Sequence, residues 1–273
     1  MIKDIVVHLT GSEEDEKRLA CAELISERFE AHLRGLYVYV MPELMGSDPV
    51  LMAGVPAMTL FYEEASSRAE EGLKRLKERF KLLLMPHDVQ QLDVFAGTAG
   101  ETLALKARTA DIFVATRPYG DPADELHVEI SVLFNSGRSC LFVPPGRAPA
   151  KWFGTIMVAW NGSRESARAL AEAMPFLKLA TTVSVVTVVE QGDDAKKSDI
   201  ARHLSRHGVS VVLQDVTAGA EGAGPALLAE ASRLGADMLV MGGYGHSRFR
   251  EWVLGGTTRY VLETADIPVL MAR

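Results

Sequence analysis

The chain is written twice, and that repeat limits its fold more than any other feature. Ile5-Val6-Val7-His8-Leu9 runs into Thr10-Gly11-Ser12 and then a charged helical stretch, and Ile156-Met157-Val158-Ala159-Trp160 runs into Asn161-Gly162-Ser163 and another. Each half continues in the same rhythm. Strand-like runs stand at Leu36 to Val40, Leu92 to Ala96, Ile112 to Ala115 and Cys140 to Val143, and again at Val183 to Val189, Val209 to Val216, Met238 to Met241 and Val269 to Met271. Short apolar runs alternating with helical segments belong to parallel sheets covered on both faces. The expected fold is α/β, with two tandem doubly wound five-stranded parallel sheets in flavodoxin-like order. The first domain is expected over 1–146 and the second over 152–273, joined by the proline-rich Pro144 to Ala150 as a semi-rigid connector. Met41 to Met58, rich in Met, Pro and Gly, reads as a loop folded onto its own half.

Composition removes several classes of function. A net charge of −7 and a pI of about 5.6 argue against a nucleic-acid partner, while leaving room for one local phosphate site. No apolar run approaches the roughly 20 residues that cross a bilayer, so no membrane partner is expected. The apolar segment Ile5 to Leu9 is too short for the core of a signal peptide. Cys21 and Cys140 lie far apart in apolar contexts and read as buried free thiols, which points to the cytoplasm.

In an open parallel sheet, ligands bind beyond the carboxyl ends of the strands where the strand order reverses, here the ends of strands one and four. Strand four of the second half runs into Gly242-Gly243-Tyr244-Gly245-His246-Ser247-Arg248, and Gly255-Gly256-Thr257-Thr258 opens the last helix. Glycines let backbone amides reach phosphate oxygens, and the start of a helix adds unpaired donors and partial positive charge. Thr257 and Thr258 are candidates to cap that helix or to give hydroxyls to a phosphate. The spacing is neither a P-loop, since no Gly-Lys-Ser/Thr follows, nor the dinucleotide fingerprint, which needs a third glycine.

Gly242-x2-Gly245-x9-Gly255 before a Pro268-Val269-Leu270 strand, together with Gly162-Ser163 and Ala236 to Met241, resembles the ATP-binding signature of the universal stress protein family. The resemblance spans the chain as two copies, strong in the second and weak in the first. It implies ATP or ADP, with or without Mg²⁺, in the second half. The base would lie near Ala159, Asn161, Val188 and Met241. The phosphates would lie over Gly242, Gly245, Gly255, Gly256, Thr257 and Thr258, with His246 and Arg248 inside the spacer. It further implies that the halves pair through their last strands as an intramolecular pseudo-dimer, and a homodimer of whole chains stays open. Two positions depart from the family pattern: Asn161 stands where Asp is usual, and Gly256 precedes the hydroxyl residue. In the first half Thr116-Arg117-Pro118-Tyr119-Gly120-Asp121-Pro122 replaces the glycines. Proline offers no N–H and an aspartate repels phosphate, so this half reads as a degenerate, non-binding site, with a different, non-nucleotide ligand as the alternative.

Other constellations carry less. His203 and His207 share a helix face but lack a third metal ligand, so no metal site is expected. Ser12 and Ser163 follow glycines without a nucleophile elbow and read as helix caps. Glu13 to Glu16 reads as a solvated helix start. No catalytic set can be assembled. The leading expectation is a nucleotide-binding stress-response or regulatory protein. A slow ATPase or phosphoryl-transfer enzyme, and a nucleotide-free pseudo-dimer acting through protein contacts, are the alternatives.

Overall fold

In the computed structural model, which describes residues 1–44, 48–118, 127–189, 197–244 and 256–273, the repeat becomes two copies of one strand-and-helix series. In the first half β1 (Asp4–Leu9), β2 (His32–Val40), β3 (His87–Val94), β4 (Ile112–Thr116) and β5 (Ser139–Val143) are interleaved with α1 (Asp15–Phe29), α2 (Pro49–Met52), α3 (Val55–Phe80), α4 (Ala99–Ala107) and α5 (Val128–Asn135). In the second, β6 (Thr155–Ala159), β7 (Thr182–Val189), β8 (Val212–Thr217), β9 (Met238–Gly242) and β10 (Val269–Ala272) are interleaved with α6 (Arg164–Leu177), α7 (Lys197–Arg206), α8 (Ala223–Leu234) and α9 (Thr257–Thr264).

Each half has five parallel strands, ordered β3-β2-β1-β4-β5 and β8-β7-β6-β9-β10. The order corrects the flavodoxin expectation at one strand. Flavodoxin order places the third strand inside the sheet, whereas here it lies at the outer edge beside the second. Composition supplies the reason. β3 reads His-Asp-Val-Gln-Gln-Leu-Asp-Val and is mostly half-exposed, while β4 and β5 are buried at every residue. A strand this polar is tolerated only at an edge. The same alternation places the start of β3 at His87, ahead of the expected Leu92.

The two sheets are not separate. β5 and β10 pair antiparallel, with Cys140 opposite Met271, Leu141 opposite Leu270 and Phe142 opposite Val269, and so make one sheet of ten strands among the described residues. Both strands are wholly buried, and either left as an edge would expose apolar side chains and unpaired amides. The register is symmetric about the Leu141–Leu270 pair. One row runs outward through Val114, Val7 and Gly35 on one side, and through Val240, Val158 and Val185 on the other.

Apolar layers cover both faces. Val7, Leu9, Val158 and Val185 meet α1, α3, α6 and α7, while Val6, Phe113, Leu239 and Val269 meet α4, α5, α8 and α9. The connector is anchored by aromatic packing. Trp152 lies 5.7 Å from Phe29 of α1 and 5.9 Å from Phe176 of α6, with Phe153 fully buried beside them. Met41 to Met58 is not all loop. Asp48 accepts from the Val50 amide at 3.0 Å and starts α2, and α3 then runs 26 residues, about 39 Å, burying side chains only from Ala69 onward. No described helix is long and apolar enough to cross a membrane.

Candidate functional site

β6 and β9 are neighbours, yet the chain leaves β6 into α6 on one face of the sheet and reaches α9 on the other. The segments that follow them therefore part, and this is the opening at which the switch-point rule places a ligand. The Trp160 amide makes a last bond to the Val186 carbonyl, 2.8 Å, and the chain then turns. Asn161 Oδ1 accepts from the Ser163 amide at 3.1 Å, and Gly162 adopts φ +71°, where a side chain would be strained. Ser163 caps α6, its Oγ accepting from the Ser166 amide at 3.1 Å, as the sequence predicts. Asn161 itself is exposed, and Ala159 and Val188 are half-buried.

On the other side of the opening the glycines do mechanical work. A Cβ on Gly242 would lie 2.5 Å from the Ser166 nitrogen and 2.6 Å from the Glu165 carbonyl carbon, so this residue lets β9 touch the start of α6. The Gly243 amide donates to the Ala272 carbonyl at 2.9 Å, and a Cβ there would press on the Met271 sulfur at 2.6 Å. Tyr244 takes a left-handed backbone, φ 53°, and its amide donates to Thr258 Oγ1 at 3.2 Å. Met241 is only 5 % exposed and belongs to the apolar layer.

α9 begins differently from α6. Its cap residue is Gly256, extended at φ −57° and ψ 145°, and among the described residues no side chain caps the helix. Thr257 and Thr258 are thus the first two helical residues rather than caps. Thr258 is buried, with its hydroxyl turned to Tyr244, and Thr257 is half-buried. Beside the opening, Glu165 is buried and accepts from Arg164 Nε at 2.8 Å. Burial acts to raise its pKa, but the Arg164 hydrogen bond and charge prevail and hold it below the ordinary glutamate value.

The corresponding turn of the first half is filled from within. Asp15 Oδ1 accepts from the Thr10 amide at 3.0 Å and Oδ2 from the Gly11 amide at 2.8 Å. Arg18 donates to Asp15 Oδ1 at 2.6 Å and to Thr10 Oγ1 at 2.7 Å. Asp15 is 4 % exposed and Arg18 fully buried. This corrects the solvated reading of Glu13 to Glu16 at Asp15, while Glu13 and Glu16 are exposed. Burial drives the Asp15 pKa upward, against the pull of Arg18 and the two amides. The cap residue of α1 is Glu14, which makes no side-chain bond, and Ser12 acts in the turn before it, its Oγ accepting from the Glu14 amide at 3.3 Å.

Residues 153–273 match the sequence model of the universal stress protein family. Over those residues, the second half of the chain, the sequence is similar to that family. The fold of the whole chain is that of a universal stress protein from Archaeoglobus fulgidus DSM 4304, at 18% identity, with 99% of this chain and 96% of that one covered and a TM-score of 0.72. A functionally unknown protein from Pseudomonas aeruginosa PAO1 aligns at 16% identity over 99% of this chain and 92% of its own, with a TM-score of 0.63. No curated protein matches the sequence.

Of the residues that the resemblance to this family marks out, Ala159, Asn161, Val188, Gly242, Gly256, Thr257 and Thr258 stand around the end of β6 and β9. Met241 is buried in the apolar layer. Gly245, His246, Arg248 and Gly255 lie outside the described residues. Three others escaped the sequence. Tyr244 gave only its place between two glycines as a signal. Trp160 carries a buried indole N–H with no hydrogen-bond acceptor. Asp15 was hidden in a run of four acids. His203 and His207 are exposed, their rings 4.7 Å apart, and no group of three or more metal-type ligands occurs among the described residues.

Proposed function

We propose that this chain is a stress-response or regulatory protein that binds one adenine nucleotide, ATP or ADP, with or without Mg²⁺, in its second half. Residues 1–146 and 152–273 are the two domains, and they form a pseudo-dimer through β5 and β10. The observation that carries the reading is the contrast between equivalent turns. The first half places its own carboxylate, Asp15, on the Thr10 and Gly11 amides. The second half has Ser166 where that aspartate would be, and α9 opens on a glycine, with no side-chain cap among the described residues. Uncapped first-turn amides attract a phosphate, with about half a unit of positive charge at the helix end.

The described residues fit such a ligand. Ala159 and Val188 offer half-exposed apolar surface to a base, Asn161 presents its amide, and Gly256 and Thr257 present backbone amides to phosphate. Gly245, Gly255, His246 and Arg248 would complete the phosphate side. This chain's part is binding and orientation; no described side chain is placed as a general base. Two buried free thiols suit a reducing cytoplasm. The test is mass spectrometry of the ligand released on denaturing freshly purified protein, paired with phosphate release from added ATP and Mg²⁺. One adenine nucleotide per chain without turnover is expected. Turnover would shift the reading to an ATPase, and protein that neither retains nor takes up nucleotide would overturn it.

A further inference from the structure

The residue after β4 is Arg117 and the residue after β9 is Gly243, and their backbones do the same thing. Each amide donates at 2.9 Å to the last residue of the neighbouring strand, Val143 for one and Ala272 for the other. Their surroundings show how the halves meet. Arg117 sends its side chain out of its own half, and Nη1 donates to the Leu262 carbonyl of α9 at 2.8 Å. Leu262 lies in the last turn, where carbonyls lack intrahelical partners, and a cation there also faces the negative end of the helix. At Gly243 the reverse occurs, because the space that a side chain would take is bordered by Leu133 of α5, 3.3 Å from a virtual Cβ. One residue on, the Tyr244 ring lies 5.0 Å from Phe134 of α5, and the Arg273 guanidinium sits 4.0 Å over that same Phe134 ring.

The first half thus touches both flanks of the segment between β9 and α9. Leu133 and Phe134 back its entry at Gly243 and Tyr244, and Arg117 grips the helix that follows. We propose that the first half, whose own turn is filled by Asp15, is the positioning element of the nucleotide site, with Arg117 and Phe134 as its positioning residues. They fix the distance between the end of β9 and the first-turn amides of α9. The proposal rests on the nucleotide reading above for its consequence, and on the contacts alone for its mechanism. Tyr244 gives it a sharp point. A tyrosine at φ 53° persists only where its surroundings hold it, and here Thr258 Oγ1 and Phe134 are among those surroundings.

The test uses the full chain with Arg117→Met, Arg117→Lys and Phe134→Ala. Amide exchange is followed by NMR without ligand, and ATP affinity by calorimetry. Arg117→Met is expected to speed exchange across α9 and to weaken ATP roughly tenfold, the size of one charge-assisted hydrogen bond, and Phe134→Ala to speed exchange at Tyr244 and to weaken ATP by several-fold. Arg117→Lys, which restores a donor, should recover part of each effect, and β2 amides should stay unchanged. Unaltered α9 exchange in Arg117→Met would overturn the proposal. So would faster exchange with ATP affinity within about twofold of the parent, roughly 0.4 kcal/mol. If the parent chain binds no ATP, the nucleotide reading fails, and the exchange data still decide whether the first half holds α9.

Discussion

Replacing Gly242 with alanine adds one carbon where the structure has no room. That carbon would lie 2.5 Å from the Ser166 nitrogen, 2.6 Å from the Glu165 carbonyl carbon and 2.9 Å from Glu165 Cβ. The first two are backbone atoms in the first turn of a capped helix, so relief requires moving α6 or bending β9. Overpacking of a well-packed interior costs about 1–3 kcal/mol, and rigid backbone on the far side puts this case near about 3 kcal/mol. For a chain of this size each kcal/mol lowers the melting temperature by roughly 2–4 °C, so a loss of roughly 6–12 °C is expected. Gly243→Ala meets the flexible end of Met271 first and should cost about 1 kcal/mol. Gly97→Ala meets nothing within 4 Å and should be nearly silent. Urea and thermal unfolding of the three variants without ligand supply the measurement. A Gly242→Ala protein that melts within about 1 °C of the parent, with an unchanged urea slope, would refute the packing argument. The result also governs ligand experiments, because a Gly242 variant that binds poorly has lost structure as well as amides.

Three further outcomes follow from buried polar groups. Arg18→Met leaves the Asp15 carboxylate buried against two amides without its cation, and chemical unfolding should show a loss of about 3–5 kcal/mol; a loss below about 1 kcal/mol would show that Asp15 is solvated after all. Glu165 and Glu230 titrate below the ordinary 4.5, Glu165 because Arg164 outweighs its burial and Glu230 because of Arg233, so their contribution is complete above that pH and is lost as pH falls through the lower folded values. Glu165→Gln with Glu230→Gln should therefore flatten the acid side of a stability profile below about pH 4.5, and an unchanged acid limb would count against it. Burial pushes the Cys21 thiol up to about 12 and the Cys140 thiol higher still, so neither should react with a thiol reagent at pH 8 until the protein unfolds, and rapid labelling of native protein would contradict their burial.

Much of the fold was legible because it depends on pattern. Ten apolar runs, two Gly-Ser turns and the Ser163 cap follow from local chemistry, and they place Asn161 and Gly242 at the strand-order switch. The join between halves was legible only through family resemblance, because nothing local in Cys140 to Val143 says that its partner is Val269 to Ala272 running the other way. The outer position of β3 was written in its two aspartates and two glutamines, and reading those as a surface pattern would have given the order. Asp15 was not legible. Its neighbours Glu13, Glu14 and Glu16 are equally acidic, and only Arg18 one turn later and the two turn amides make it the buried one. Gly242 was read for what it lets a ligand do, whereas its tightest neighbour is protein backbone. A glycine in sequence shows that something comes close, without showing what.

The central claim, one adenine nucleotide per chain at the end of β6 and β9, is tested most directly by calorimetric titration of ligand-free protein with ATP, alongside Asn161→Ala and Asn161→Asp. Asn161 Oδ1 is already engaged by the Ser163 amide, so aspartate can keep that turn with one oxygen and offer the other to the ligand. A stoichiometry of one is predicted. Asn161→Ala should weaken binding by about 0.5–1.5 kcal/mol, the worth of one neutral hydrogen bond, and Asn161→Asp should leave it equal or tighter. A stoichiometry of two, ATP affinity untouched by Asn161→Ala, or binding weakened by Asn161→Asp would contradict the account.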